Sequence, residues 1–104
     1  MIIVTTDSVP NQQIKELKGY VKGNTVQAKH VGRDILAGLK GIVGGEIKDY
    51  SDMMTEARQI AVGRMVEDAK KKGANAIVAF RLDTSSVMGG ASEIIAYGTA
   101  VVVE

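Results

Sequence analysis

Apolar residues recur at the spacing of one helix face between Ser51 and Lys72. Ser51 suits an N-cap, Lys70–Lys72 complement the negative end of a helix dipole, and Gly73 suits the position after the last turn. This pattern predicts one long helix over 51–72. Its apolar stripe consists of Met53, Met54, Ala57, Ile60, Ala61, Met65 and Ala69.

A second, shorter stretch, Arg33–Val43, also has helical periodicity. Gly38 and Gly41 form a smooth strip on this predicted helix, and each costs about 1 kcal/mol relative to alanine, which indicates packing against another element. Gly44-Gly45 is expected to end it. Its apolar positions are Ile35, Leu36, Leu39, Ile42 and Val43.

The remaining apolar segments are rich in β-branched residues and predict strands. Asp7–Asn11 is a predicted turn and Ser85–Ser92, which contains Gly89-Gly90, a predicted flexible loop. Gly19 and Gly23 are expected to mark bulges or close approaches. The predicted strands are Ile2–Thr6, Gln13–His30, Ala74–Thr84 and Glu93–Val103.

Alternation assigns the faces of the last two strands. In Ala74–Thr84, one face is predicted to carry Ala76, Val78, Phe80 and Leu82. The final strand is apolar on both faces, one of which contains Tyr97, Val101 and Val103. A sheet with one solvated face should alternate apolar with polar, so this strand predicts self-association.

Together these elements predict a single α+β domain over residues 1–104. We expect a curved antiparallel sheet of about four strands with two helices on one face, because the connections are short.

Composition narrows the function classes. The formal charge of +1 gives no strong field for nucleic acid or membrane surfaces, and a mild lysine bias on the second strand (Lys15, Lys18, Lys22, Lys29) is expected to be a solvated edge. The chain has no cysteine, which excludes disulfides and thiolate chemistry. Met1–Thr6 has neither a basic leader nor a signal core, and no stretch has the length of a membrane span, so we expect a cytoplasmic protein.

No catalytic or metal motif stands out. The glycines match neither dinucleotide nor phosphate-loop spacing. His30 is the single histidine, whereas a metal site needs several converging ligands, and Met53, Met54 and Met65 are explained by packing. Asp52 and Glu56 complement the helix dipole or, alternatively, chelate a hard cation.

Four stretches in this order resemble the YbjQ-like family over nearly the whole chain. They are Gly32-Arg33-Asp34, Ile42-Val43-Gly44-Gly45, Gly73–Val78 and Gly98–Val101. The resemblance implies a dodecin-subunit-like α+β subunit that assembles into a ring-shaped homopentamer, and it carries a label of heavy-metal binding. The positions that match its pattern are Arg33, Asp34, Gly44, Gly45, Arg58 and Gly73, with the glycines read as structural.

Three function hypotheses follow. The first is a non-enzymatic, ring-forming binding or scaffold protein, in which Arg33, Asp34 and Arg58 line or pair across an inter-subunit site. The second is metal binding, with His30, Asp34, Glu56 and methionines as ligands. The third is an enzyme at a subunit boundary that uses Asp34 or Glu56 as acid or base. The residues leave the cofactor unknown, and a metal ion or a small molecule is a candidate ligand.

Overall fold

The structure, a computed structural model, describes residues 1–28, 44–86 and 91–104. In this part of the chain the order of elements is β1 (Ile2–Ile3), β2 (Ile14–Ala28), α1 (Gly44–Lys71), β3 (Ala76–Ser86) and β4 (Ala91–Val103). The four strands form one sheet in the order β1-β3-β4-β2. The α+β class is therefore confirmed. The predicted helix Arg33–Val43 lies outside the described residues.

The sheet is mixed, which corrects the prediction of a purely antiparallel one. β4 pairs antiparallel with both β2 and β3, but β1 pairs parallel with β3. Ile2 is opposite Ala76 and Ile3 is opposite Ile77. Parallel strands need a long connection, and the whole chain between β1 and β3 supplies it. Over the ranges that the structure describes, no helix combines the length and the apolar character that crossing a bilayer requires.

The long helix begins earlier than predicted. It starts at Gly44 rather than at Ser51, so Ser51 lies inside the helix and is not its N-cap. An exposed serine in a helix interior costs only a few tenths of a kcal/mol, and no proline interrupts 44–50, so the helix continues through it. The C-terminus is as predicted, because Gly73 has φ of 79° and its amide donates to the Lys70 carbonyl at 3.0 Å.

The main core lies between α1 and the sheet. Small residues on the helix meet β2 and β4, so the helix and sheet backbones approach closely. At Gly23 of β2 there is no space for a Cβ atom, which would collide with the Ala61 carbonyl oxygen and the Met65 amide nitrogen. The fully buried members of this core are Val21, Ala57, Ala61, Met65, Ala69, Ile77, Ile94, Ala96 and Ala100.

A bulge in β3 corrects the predicted assignment of its faces. The register against β4 shifts between Val78 and Arg81, and Ala79 has φ of 53°. The extra residue changes which face the following side chains reach. Phe80 therefore packs against the main core with Ile77, and not on the face of Ala76 and Val78 as strict alternation predicts.

A second, smaller core lies on the opposite sheet face, which we call the open face. Here the turn region between β1 and β2 covers the C-terminal half of β4, through Val9 with Val4 packed beside it. Val101 and Val103 are only 1% and 2% exposed within this single chain. The prediction that both faces of β4 need a partner is therefore wrong at these two residues, because the chain supplies their cover itself.

The β3–β4 hairpin is longer than predicted. Ser86 pairs with Ser92 and Ser85 with Glu93, so parts of the predicted loop Ser85–Ser92 belong to the strands. Residues 87–90 lie outside the described part of the chain. In β2 both glycine predictions are confirmed: a register shift occurs between Leu17 and Gly19, and Gly23 is a close approach.

Candidate functional site

An apolar groove lies between α1 and the β1–β3 side of the sheet. It forms because the described helix packs over β2 and β4 and leaves the neighbouring side of the same sheet face uncovered. The β3 bulge turns Phe80 into this groove. Its volume is about 490 Å³, and its lining residues are Ile3, Arg58, Gln59, Val62, Gly63, Phe80 and Leu82.

Among the described residues that line this groove, Arg58 is the one with a charged side chain. It is exposed on α1, and its Nη2 donates to the Thr55 hydroxyl at 3.0 Å. A guanidinium beside an apolar cleft suits a partner that carries both an apolar body and an acidic group. The predicted polar-site residue Arg58 therefore lies at a cleft, whereas Arg33 and Asp34 lie outside the described residues.

Of the predicted metal ligands His30, Asp34 and Glu56, the structure describes only Glu56. Glu56 and Asp52 are exposed on α1. Within residues 1–28, 44–86 and 91–104 there is no group of three His, Cys, Asp or Glu side chains with the spacing of a metal site. Met65 is fully buried in the main core, which confirms its role as a packing residue, and Met53 and Met54 are half-buried. His30 and Asp34 lie outside the described part.

The open face carries a strip of exposed apolar side chains along β2, which sequence reasoning missed. We define this apolar strip as Ile14, Leu17, Tyr20 and Val26, which are 43%, 71%, 59% and 54% exposed. Their register partners on β4 place them on the face opposite α1. The order of residues in the sequence contained this signal. Exposed Tyr20 is next to buried Val21, and exposed Val26 is next to buried Thr25.

Beside this strip, Tyr97 of β4 is held in place by a carboxylate. Its hydroxyl donates to Asp83 Oδ2 at 3.1 Å. This hydrogen bond and the negative charge of Asp83 raise the pKa of Tyr97 above the ordinary tyrosine value. Tyr97 is opposite Lys22 on one side and Arg81 on the other, so charged and aromatic groups share this part of the face.

The described part of the chain thus has an α+β fold with a mixed four-stranded sheet, an apolar groove and an exposed apolar strip. The family model described as "Putative heavy-metal-binding" matches residues 1–104. The chain belongs to this family, the YbjQ-like family that its sequence resembles.

Two relatives share most of the sequence. The chain is 66% identical to the UPF0145 protein BH0643 of Halalkalibacterium halodurans, over 100% of this chain and 98% of that protein. It is 61% identical to the UPF0145 protein CD630_17110 of Clostridioides difficile, over 100% of this chain and 93% of that one.

A solved structure is similar in fold. It is a protein of unknown function of the DUF74 family from Pediococcus pentosaceus, with a TM-score of 0.61 and 18% identity. The match covers 100% of this chain and 98% of that chain. At this identity the likeness establishes the α+β fold alone.

Proposed function

We propose that this protein is a non-enzymatic binding or scaffold protein that works as a homo-oligomeric ring, with five subunits as the family resemblance implies. The observation that supports the proposal is the apolar strip. Leu17, at 71% exposed, and Tyr20, at 59%, are neighbours in space on the open face. Isolated exposed apolar residues are ordinary, but a row of large ones along a single strand is typical of a protein–protein interface.

The apolar strip on β2, and not the apolar character of both faces of β4, is the reason to expect self-association. Val101 and Val103 are already covered by Val9, whereas Ile14 and Leu17, their register partners on β2, extend beyond that cover. A partner that packs on these side chains removes apolar area from water, at about 25 cal/mol per Å². In the ring, Arg58 and the groove provide the inter-subunit or ligand-binding cleft that the sequence hypothesis assigns to Arg33, Asp34 and Arg58.

Replacement of Leu17 by aspartate tests the proposal. At low micromolar concentration the unaltered chain should sediment as one species whose mass is a multiple of 11.0 kDa. Leu17→Asp buries a charge in the interface, so the association constant should fall by a factor on the order of 100. The control is Thr84→Asp, which adds the same charge at an exposed strand position on the face of α1.

The two variants separate a specific interface from a general effect of charge. Thr84→Asp should retain the mass of the unaltered chain. A monomer at every concentration of the unaltered chain, or equal loss of assembly in both variants, would contradict the proposal.

Heavy-metal binding is the second candidate, because the family description names it. The chain as a whole offers no thiolate and one imidazole, which is a poor donor set for a soft metal within one copy. A site would need His30 or Asp34 with groups from several copies. Metal analysis of purified unaltered and His30→Ala protein tests this: equal metal content removes His30 as a ligand.

A further inference from the structure

The side chains of Arg64 and Asp68 on α1, and of Lys72 directly after it, contact the outer edge of β2. Arg64 Nη1 donates to the Asn24 carbonyl at 2.7 Å, and Lys72 Nζ donates to the Tyr20 carbonyl at 2.9 Å. Between them, Asp68 Oδ2 accepts from the Lys22 amide at 3.3 Å. We call Arg64, Asp68 and Lys72 the edge ladder.

The groups that the edge ladder contacts are those that a neighbouring strand would use. Among the strands that the structure describes, β2 is the last of the sheet, and β4 is its neighbour. In an antiparallel pair the backbone groups of alternate residues point toward the partner and away from it. The backbone groups at Tyr20, Lys22 and Asn24 that bond to the edge ladder point away from β4, at the edge where another strand would pair.

The spacing of the edge ladder matches that of the strand. Four helical residues rise by about 6 Å, and two strand residues advance by about 6.6 Å. A helix that runs antiparallel along a strand therefore places every fourth side chain beside every second strand residue. Residues 64, 68 and 72 meet residues 24, 22 and 20 in that order.

The charges also match. The two cations meet carbonyl oxygens and the carboxylate meets an N–H group, so each contact is a charge-assisted hydrogen bond. Lys72 lies 3.4 Å from Asp68 Oδ1, which links the last two members of the ladder. If the charge of any one of these three side chains were reversed, it would face a backbone group with a partial charge of the same sign.

We infer that the edge ladder takes the place of a fifth strand along Tyr20–Asn24, and that without it this edge accepts a strand from a second copy of the chain. The occupant is a second copy because removal of the ladder uncovers the same edge on every copy, and two identical edges can pair with each other about a twofold axis. Tyr20 of the apolar strip, 59% exposed, lies at one end of this length of β2. An added strand would gain both backbone hydrogen bonds and apolar contact there. The regular part of β2 begins at Gly19, after two register shifts.

Removal of the edge ladder tests this inference. The variant Arg64→Ala/Asp68→Ala/Lys72→Ala uncovers the edge. The control Glu67→Ala/Lys70→Ala/Lys71→Ala likewise removes two cations and one anion, from exposed positions of the same helix. Light scattering measures the mass as a function of protein concentration. Thioflavin fluorescence reports added strand pairing, and hydrogen exchange of the Lys22 amide reports whether the edge is covered.

The uncovered variant should form larger, strand-paired species at a concentration about tenfold lower than the control does, because one charge-assisted hydrogen bond alone corresponds to about that factor. In a dilute solution of the uncovered variant, the Lys22 amide hydrogen should exchange about tenfold faster than in the unaltered chain. The same association as the control, or unchanged exchange at Lys22, would overturn the inference.

If the triple variant does not fold, Asp68→Ala alone carries the same test through Lys22 exchange and the onset of association. Arg64→Lys/Lys72→Arg, which keeps both donors, should behave like the unaltered chain. The inference does not depend on the ring, because an unaltered chain that is monomeric still predicts strand-paired association in the uncovered variant.

Discussion

At the scale of single residues, the packing of the helix on the sheet depends on Gly23. A methyl group at Gly23 collides with backbone atoms of Ala61 and Met65, which cannot move aside as a flexible side chain would. The helix must shift, and overpacking of this kind typically costs about 1–3 kcal/mol. Gly23→Ala should therefore lower the free energy of unfolding by that amount, as measured by urea denaturation.

Gly63 provides the matched control for this change. It lies on α1, and a methyl group there meets no atom within 4 Å. Gly63→Ala should raise the free energy of unfolding by about 0.5–1 kcal/mol, because alanine favours the helix. Equal effects of the two changes would contradict the close approach at Gly23.

The Tyr97–Asp83 pair predicts a pH dependence with a definite sign. Since Asp83 raises the pKa of folded Tyr97, the pair contributes stability below the ordinary tyrosine pKa of about 10, and this contribution is lost as the pH rises through the raised value. Asp83→Asn removes the charge, so the pKa of Tyr97 should fall. Ring-carbon NMR titration measures it, with Tyr97→Phe to assign the signal. An unchanged Tyr97 titration in Asp83→Asn would show that Asp83 is not the cause.

Residue chemistry made some of these features visible in the sequence. Gly73 was identifiable as a helix end, and Gly23 as a close approach within a strand, because a glycine at such a position costs conformational entropy that something must offset. The Tyr97–Asp83 contact was not identifiable, because it depends on the register of β3 against β4, which the bulge shifts.

At the scale of elements, the segment between β1 and β2 acts as the cover of the second core. Val9 is 6% exposed and packs with Val78, Val101 and Val103. Val9→Ala removes buried methyl groups and should lower the free energy of unfolding by about 1–3 kcal/mol. Thermal and urea unfolding of dilute protein measure the effect.

Val26→Ala is the control for this prediction. Val26 is 54% exposed, so its truncation should change the stability of dilute protein by less than about 0.5 kcal/mol. Equal losses in the two variants would show that the segment does not form a core with the sheet.

Elements were predicted best where the pattern is long and regular. The strands β2, β3 and β4 and the end of α1 follow from periodicity and from Gly73. The start of α1 does not follow from the sequence pattern, because Ser51 is compatible with both a cap and a helix interior. The face of Phe80 was predicted wrongly because a bulge at Ala79, a residue without turn character, leaves no signal in the sequence.

At the scale of the whole molecule, the exposed apolar surface that indicates assembly lies on β2 and not on the C-terminal half of β4. Apolar residues on both faces of β4 indicate a partner only if nothing in the same chain covers them, and Val9 covers Val101 and Val103. Such cover comes from residues distant in sequence, so alternation within one strand cannot reveal it. β2 therefore has two different surfaces. The side chains of the apolar strip are open to a partner, whereas backbone groups at the outer edge are already bonded to the edge ladder.

Residues distant in sequence meet in the sheet beside β2. Gln13 and Glu104 exchange backbone hydrogen bonds, each at 3.0 Å, and the Asn75 side chain bonds to both backbone groups of Val103. During synthesis on the ribosome, β2 therefore waits for its partner until β4 has emerged from the exit tunnel. Contacts between such distant parts of a chain slow folding. Newly made copies pass through a stage in which the strip-bearing strand is unpaired, and this is the stage at which chaperones would meet them.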